Sequence, residues 1–143
     1  MKSIVDRLLR GEVPTPAIAE TLGLRLTAAS DGHAVFEMDV DPARFANPMG
    51  TVHGGILCDL ADAAMGVAFA STLADGESFT TLELKINFLR PVWRATLTAE
   101  GSVTQRGRTV GLVECRVTDE SGRLVAKASS TCLTLRGDQA TGR

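Results

Sequence analysis

Between Asn47 and Ser71 a polar, glycine-rich loop runs into a long apolar segment that carries two carboxylates, Asp59 and Asp62. From 56 to about 74 the chain is rich in Ala, Leu and Met, holds no proline and has few β-branched residues. That is too long for an ordinary strand, and its composition predicts a helix. Apolar residues occupy nearly every face, which predicts a helix buried all round. Ionised groups are costly in hydrocarbon, so Asp59 and Asp62 argue against a membrane span. A sheet wrapped around the helix is the remaining environment.

The segment entering this helix reads Asn47-Pro-Met-Gly-Thr-Val-His53-Gly54-Gly55. The first amides of a helix lack intrahelical partners and sit at the positive end of its dipole. Gly54 and Gly55 have no Cβ, so a ligand can approach this backbone closely, and such amides can hold a developing oxyanion. The plainer alternative is a tight turn into the helix. His53 fits a supporting, hydrogen-bonded turn residue better than a catalyst, since no Ser or Cys partner stands at an obvious spacing. Asp62 carries more weight. A carboxylate in the middle of an apolar helix must be paired, hydrogen-bonded or functional. Asp59 lies three residues earlier on nearly the same side, so either could be the working group.

Gly54 and Asp62 are eight positions apart, about 12 Å along a helix axis. A base and an oxyanion donor must both lie about 3 Å from one reacting carbonyl. One helix cannot supply both. If both act, the carboxylate comes from a second copy of the chain, with the helices antiparallel across a two-fold axis. The working unit is then a homodimer with a shared site.

Asn47, then His53-Gly54-Gly55, then Asp62 nine positions after the histidine resembles the signature of the hotdog-fold acyl-CoA thioesterases, most closely the phenylacetate-pathway (PaaI-like) group. The resemblance runs from about 17 to 135 and includes the strand end Asn87-Phe88-Leu89-Arg90-Pro91. It implies an acyl-CoA substrate, with coenzyme A as part of the substrate and no other cofactor. Asp62 would be the general base that activates water, or the nucleophile that forms a mixed anhydride. The Gly54 amide would bind the thioester oxygen, Asn47 would position water or the thioester, and His53 would support the loop. Thr81 matches a Ser/Thr position that assists the carboxylate. The resemblance also implies a homotetramer, a dimer of dimers.

In chain order, 143 residues with 44% hydrophobic content predict one domain with a sizeable core. Residues 1–16 read as an N-terminal helical segment, 17–136 as the hotdog domain and 137–143 as a frayed tail. A net charge of −2 and few aromatics give no case for nucleic acid. The first eleven residues lack a continuous apolar core, so they read as a short amphipathic helix rather than a signal peptide. Cys58, Cys115 and Cys132 are widely spaced and without a C-x-x-C pair. They read as reduced core residues of a cytoplasmic protein, and apolar surroundings should keep Cys58 inert. No metal-ligand spacing of His, Cys or Glu occurs.

The stretch 17–29 leads into a first strand with Leu22, Leu24 and Leu26 on one side. Ser30-Asp31-Gly32-His33 is a turn, with His33 exposed in it, and 34–40 is the returning strand. From 79 to 89 the pattern alternates, with Leu82, Leu84, Ile86 and Phe88 against Thr81, Glu83, Lys85 and Asn87. Strands follow over 95–104, 109–118 and 124–135. The tally predicts an α+β fold, a curved antiparallel sheet around one long central helix, which agrees with the hotdog fold.

Arg90, Arg94, Arg106 and Arg108 fall at predicted strand ends, and the forked guanidinium suits the phosphates of coenzyme A. Gly55 and Arg90 are therefore expected carrier-binding residues. So are Arg106, Gly107, Arg108, Thr109 and Val110, which match where the resembled thioesterases contact coenzyme A. Two rival readings are a hotdog enoyl-CoA hydratase or dehydratase, and a non-catalytic acyl-CoA-binding protein. The first would need a histidine paired with an acid, and only His33 and His53 exist. The second would need an output module for which 143 residues leave no room.

Overall fold

The structure is a computed structural model that describes residues 2–141, with side chains from 4 onward. Met1 and the last two residues of the expected tail lie outside the described residues. The elements are α1 (Lys2–Leu9), α2 (Ala17–Leu22), β1 (Arg25–Ser30), β2 (His33–Val40), α3 (Pro42–Phe45), α4 (Gly54–Ala70), β3 (Ser78–Phe88), β4 (Ala95–Arg106), β5 (Val110–Thr118) and β6 (Leu124–Leu135). A single 3-10 turn, Gly137–Ala140, follows. The six strands form one antiparallel sheet in the order β1-β2-β4-β5-β6-β3. This is the α+β hotdog arrangement, with α4 packed chiefly on β4, β2 and β5 at the centre of the sheet.

Small residues allow the helix to lie close to the sheet. Ala61, Ala64 and Ala68 are fully buried. A Cβ on Gly101 in β4 would stand 2.5 Å from the Ala64 carbonyl oxygen, so only glycine fits beneath that turn of α4. Met38, Leu60, Met65, Phe69, Leu97, Val113 and Val117 fill the space around this contact.

Three local expectations are corrected. The stretch 17–29 leads into β1, but Leu22 is helical and does not share the strand's side with Leu24 and Leu26. Ala17-Ile-Ala-Glu-Thr-Leu22 forms α2 behind Pro16, and Gly23 ends it at φ 79°, because good helix formers between a proline and a left-handed glycine favour a turn of helix. His33 is the half-buried first residue of β2 rather than a turn residue. After β2, the Asp41 carboxylate accepts from the Ala43 amide at 2.8 Å and caps α3. Finally, α4 starts two residues earlier and ends four residues earlier than its apolar run suggested. Ser71 stops it by donating to the carbonyls of Ala68 and Ser30.

The helix is also not buried all round. Asp59 and Asp62 are exposed and Ala63, Gly66 and Val67 half-buried, while Leu57, Leu60, Ala61, Ala64 and Met65 are buried. The sheet has two edges, β1 and β3, and it leaves this carboxylate-bearing flank of α4 uncovered.

Candidate active site

The loop before α4 is built by its own side chains. Asn47 Oδ1 accepts from the amides of Met49 (2.9 Å) and Thr51 (3.2 Å), and its Nδ2 donates to Thr51 Oγ1 at 2.9 Å. Asn47 thus closes the turn and keeps one amide hydrogen for other use. The Val52 amide donates to the Val92 carbonyl at 2.8 Å, which ties this loop to the β3–β4 connection. His53 caps the helix, with Nδ1 accepting from the Gly55 amide at 2.9 Å. That bond leaves the imidazole proton on Nε2.

Two of the first amides are therefore engaged, Gly55 by the His53 ring and Ile56 by the His53 carbonyl at 3.0 Å. The Gly54 amide has no acceptor among the described residues. A Cβ on Gly54 would meet the tip of the Phe88 ring at 2.8 Å, so a larger residue would push that ring aside. An open cleft of ≈ 680 Å³ lies over this point, lined by Asn47, His53, Gly54, Phe88, Arg90 and Val92 among others. Phe88 was read from the sequence as an inward strand-end residue and not as part of the site. An aromatic at the last inward position of a strand that ends beside a Gly-Gly pair was the available signal.

Asp62 stands on the uncovered flank of α4. Although the residue is exposed as a whole, partial burial of its carboxyl pushes the group above its ordinary value. The Thr81 hydroxyl opposes that shift by donating to Asp62 Oδ1 at 3.3 Å, and the Asp59 charge adds to it. Solvent still reaches the group from the open side.

Thr81 reaches Asp62 because the alternation of β3 breaks. The register with β6 shifts between Thr81, opposite Cys132, and Glu83, opposite Thr131. Leu82 is the extra residue and turns outward, 55% exposed. Thr81 consequently shares the helix-facing side with Leu84 and Ile86, and Glu83 points away to accept from Thr131 Oγ1 at 2.8 Å. The expected grouping of Thr81 with Glu83 and Lys85 is overturned by this bulge.

Of the expected carrier-binding residues, Gly55 and Arg90 line the cleft. Arg106, Gly107, Arg108, Thr109 and Val110 do not. They sit by the far end of α4, about 22 Å from Gly54 by helix length. The Arg106 guanidinium is occupied there: it donates to Thr72 Oγ1 and the Gly107 carbonyl, lies 4.8 Å over the Phe69 ring and approaches Glu77 at 3.8 Å. Arg136 joins the same carboxylate at 2.7 Å. Cys58 is half-buried, and burial, with Asp59 and Asp62 beside it, pushes its thiol up. The Cys115 thiol is pushed up to about 12 by burial and the Glu100 charge.

Residues 49–126 match the sequence profile of the Thioesterase superfamily. The chain belongs to that superfamily. It is similar to an esterase-named protein of Saccharolobus solfataricus, 37% identical over 83% of this chain and 84% of that one. It is also similar to the 1,4-dihydroxy-2-naphthoyl-CoA hydrolase of Listeria monocytogenes, 26% identical over 80% of this chain and 92% of that one. Among solved structures it resembles the PaaI protein of the E. coli phenylacetic acid degradation operon, with TM-score 0.83, 28% identity and 95% of each chain covered. A thioesterase-named, phenylacetic acid degradation-related protein of Ralstonia eutropha superposes with TM-score 0.82 at 37% identity, covering 90% of this chain and 98% of that one. Like its superfamily, the chain is a PaaI-like hotdog thioester hydrolase. No helix among the described residues is long and apolar enough to cross a membrane.

Proposed function

We propose that the protein hydrolyses acyl-CoA to the free acid and coenzyme A in a site shared by two protomers. The observation that carries this reading is the unpartnered Gly54 amide at the mouth of a cleft, with Asp62 eight residues along the same helix on its uncovered flank. Those two groups serve one carbonyl only when a second copy turns its helix antiparallel to the first. The edge strand β3 supports that assembly. The strand and the residue after it carry the exposed apolar side chains Leu82, Phe88 and Leu89, and an open apolar edge of this kind favours pairing with another strand.

In this site the thioester oxygen of an acyl-CoA accepts a hydrogen bond from the Gly54 amide of one protomer, at the positive end of its helix. Asp62 of the other protomer takes a proton from water as the water oxygen attacks the carbonyl carbon. The tetrahedral oxyanion forms against the Gly54 N–H. Collapse breaks the carbon–sulfur bond, and the coenzyme A thiolate leaves and takes up the proton that Asp62 held. Thr81 holds Asp62 in place, His53 fixes the Gly54-Gly55 turn, and Asn47, with one amide hydrogen uncommitted, lines the cleft. The raised Asp62 pKa makes this carboxylate a stronger base than an ordinary one. A tetramer of two such dimers in the cytoplasm is the assembly proposed. A panel of aryl and aliphatic acyl-CoAs, followed by free-thiol release, tests the reading, and no release from any member would refute it.

A further inference from the structure

Two polar side chains lie sealed in the sheet behind the Thr81–Asp62 pair. Ser130 and Cys132 are inward residues of β6, and neither has any solvent exposure. A hydroxyl and a thiol so placed cost free energy unless they are hydrogen-bonded. Ser130 Oγ meets Cys132 Sγ at 3.8 Å. Cys132 in turn stands opposite Thr81 in the β3–β6 ladder and opposite Gly111 on the β5 side. The glycine offers no side chain, and the Phe69 ring occupies the space that a Cβ there would need. On the β3 side the bulge at Leu82 turns Thr81 inward, so hydroxyl and thiol are neighbours across the strand pair. Burial pushes the Cys132 thiol up, the Ser130 and Thr81 hydroxyls oppose that rise, and the Asp62 and Glu83 charges add to it.

Proton counting gives these groups a direction. Thr81 has one hydroxyl proton and two acceptors beside it, the Asp62 carboxylate and the Cys132 sulfur. The charged oxygen is the stronger acceptor, and the proton goes to Asp62 Oδ1 at 3.3 Å. Thr81 Oγ1 is then left to accept, and a thiol buried away from any cation stays protonated and can donate. The Cys132 sulfur accepts in turn from the Ser130 hydroxyl. Each link polarises the next.

We propose that Ser130 and Cys132 form a hydrogen-bond relay behind Thr81 that points each proton toward Asp62 and holds the Thr81 hydroxyl on that carboxylate. Cys132 is thereby a positioning residue for the base. The inference rests on the hydrolytic reading above, with Asp62 as the group that activates water. The other titratable groups near the relay are Asp59 and Cys58 beside Asp62 on α4, and Glu83 on β3. Glu100 on β4 bears on Cys115 instead. No cation pairs with Asp62 among the described residues, so its ionisation depends on burial, on Asp59 and on this chain of donors.

The relay is tested by the acid limb of the pH profile of kcat/KM, whose position does not depend on how much of a variant folds. Cys132→Ala should move the limb up by about half a pH unit, and Ser130→Ala should move it in the same direction. Cys132→Ser, a stronger donor of nearly the same size, should return the limb to the wild-type position or below it. In a Thr81→Ala background Cys132→Ala should move it no further, because the relay acts only through that hydroxyl. A limb that stays or falls in either alanine variant, that serine does not restore, or that moves equally with and without Thr81 would overturn the relay. A wild type that releases no thiol from any acyl-CoA would instead overturn the hydrolytic reading. Carbon-13 NMR titration of the Asp62 carboxyl in the same variants would then still decide the relay, by the same shifts.

Discussion

The Thr81 hydroxyl donates to Asp62 Oδ1 at 3.3 Å, across from strand to helix, because one outward leucine has shifted the register of β3. Without the bulge at Leu82, strict alternation would place Thr81 on the side of Glu83 and leave Asp62 with no neutral donor. The hydroxyl steadies the ionised form of a carboxylate that burial otherwise pushes toward protonation. Thr81→Ala should therefore raise the acid limb of the pH profile of kcat/KM, and Thr81→Ser should restore it. Matching pH profiles for Thr81→Ala and the wild type would remove Thr81 from the proton step.

Asp62→Asn should lower kcat by about 10²–10⁴-fold while thermal unfolding and oligomer size stay as in the wild type or better. Asp59→Asn should change kcat by a few-fold at most. Its effect should appear in the pH profile, since removing the Asp59 charge lowers the Asp62 pKa and moves the acid limb to lower pH. Equal losses for the two substitutions, measured by thiol release, would show that the wrong carboxylate has been assigned.

The same pKa has a consequence for stability. A carboxyl whose folded pKa lies above its unfolded value favours the fold when protonated, and this contribution vanishes as pH rises through the folded value. At neutral pH the ionised Asp62 is thus a net cost. Asp62→Asn should melt higher than the wild type at pH 7, and the difference should close as the pH approaches the ordinary carboxylate range. A lower Tm for the variant at pH 7 would contradict the burial effect.

Gly101→Ala places a methyl group 2.5 Å from the Ala64 carbonyl oxygen. Neither backbone can yield without moving α4 off the sheet. Destabilisation of about 1–3 kcal/mol should follow in denaturant unfolding. Because α4 carries both Gly54 and Asp62, activity should fall in the fraction that remains folded. An unchanged midpoint would mean that the helix has slack against β4.

Much of this was legible before the fold. The long apolar run with two carboxylates called for a helix held by a sheet, and β6 over 124–135 has the bounds that its alternation predicted. The eight-residue separation of Gly54 and Asp62 already required a second copy if both act. Bulges, caps and side-chain allocation were not legible. A bulge at Leu82 leaves no mark in an alternation that reads smoothly through it, since Leu82 is as apolar as the inward leucines. The α2 turn was hidden by leucines spaced as in a strand, and only Pro16 and Gly23 betrayed it. Arg106 looked available for phosphate because sequence does not say which arginines already have Glu77, Thr72 and Phe69 for company.

The shared site is tested most directly by mixing two inactive chains, one with Asp62→Ala and the other with Asn47→Ala. Each hybrid dimer would hold one intact site, made from the Gly54 loop of the first chain and the Asp62 of the second. Equal mixing with full subunit exchange should then restore roughly a quarter of wild-type thiol release. No recovery above the separate chains, with exchange verified by mass, would place the working groups within one protomer and contradict the account.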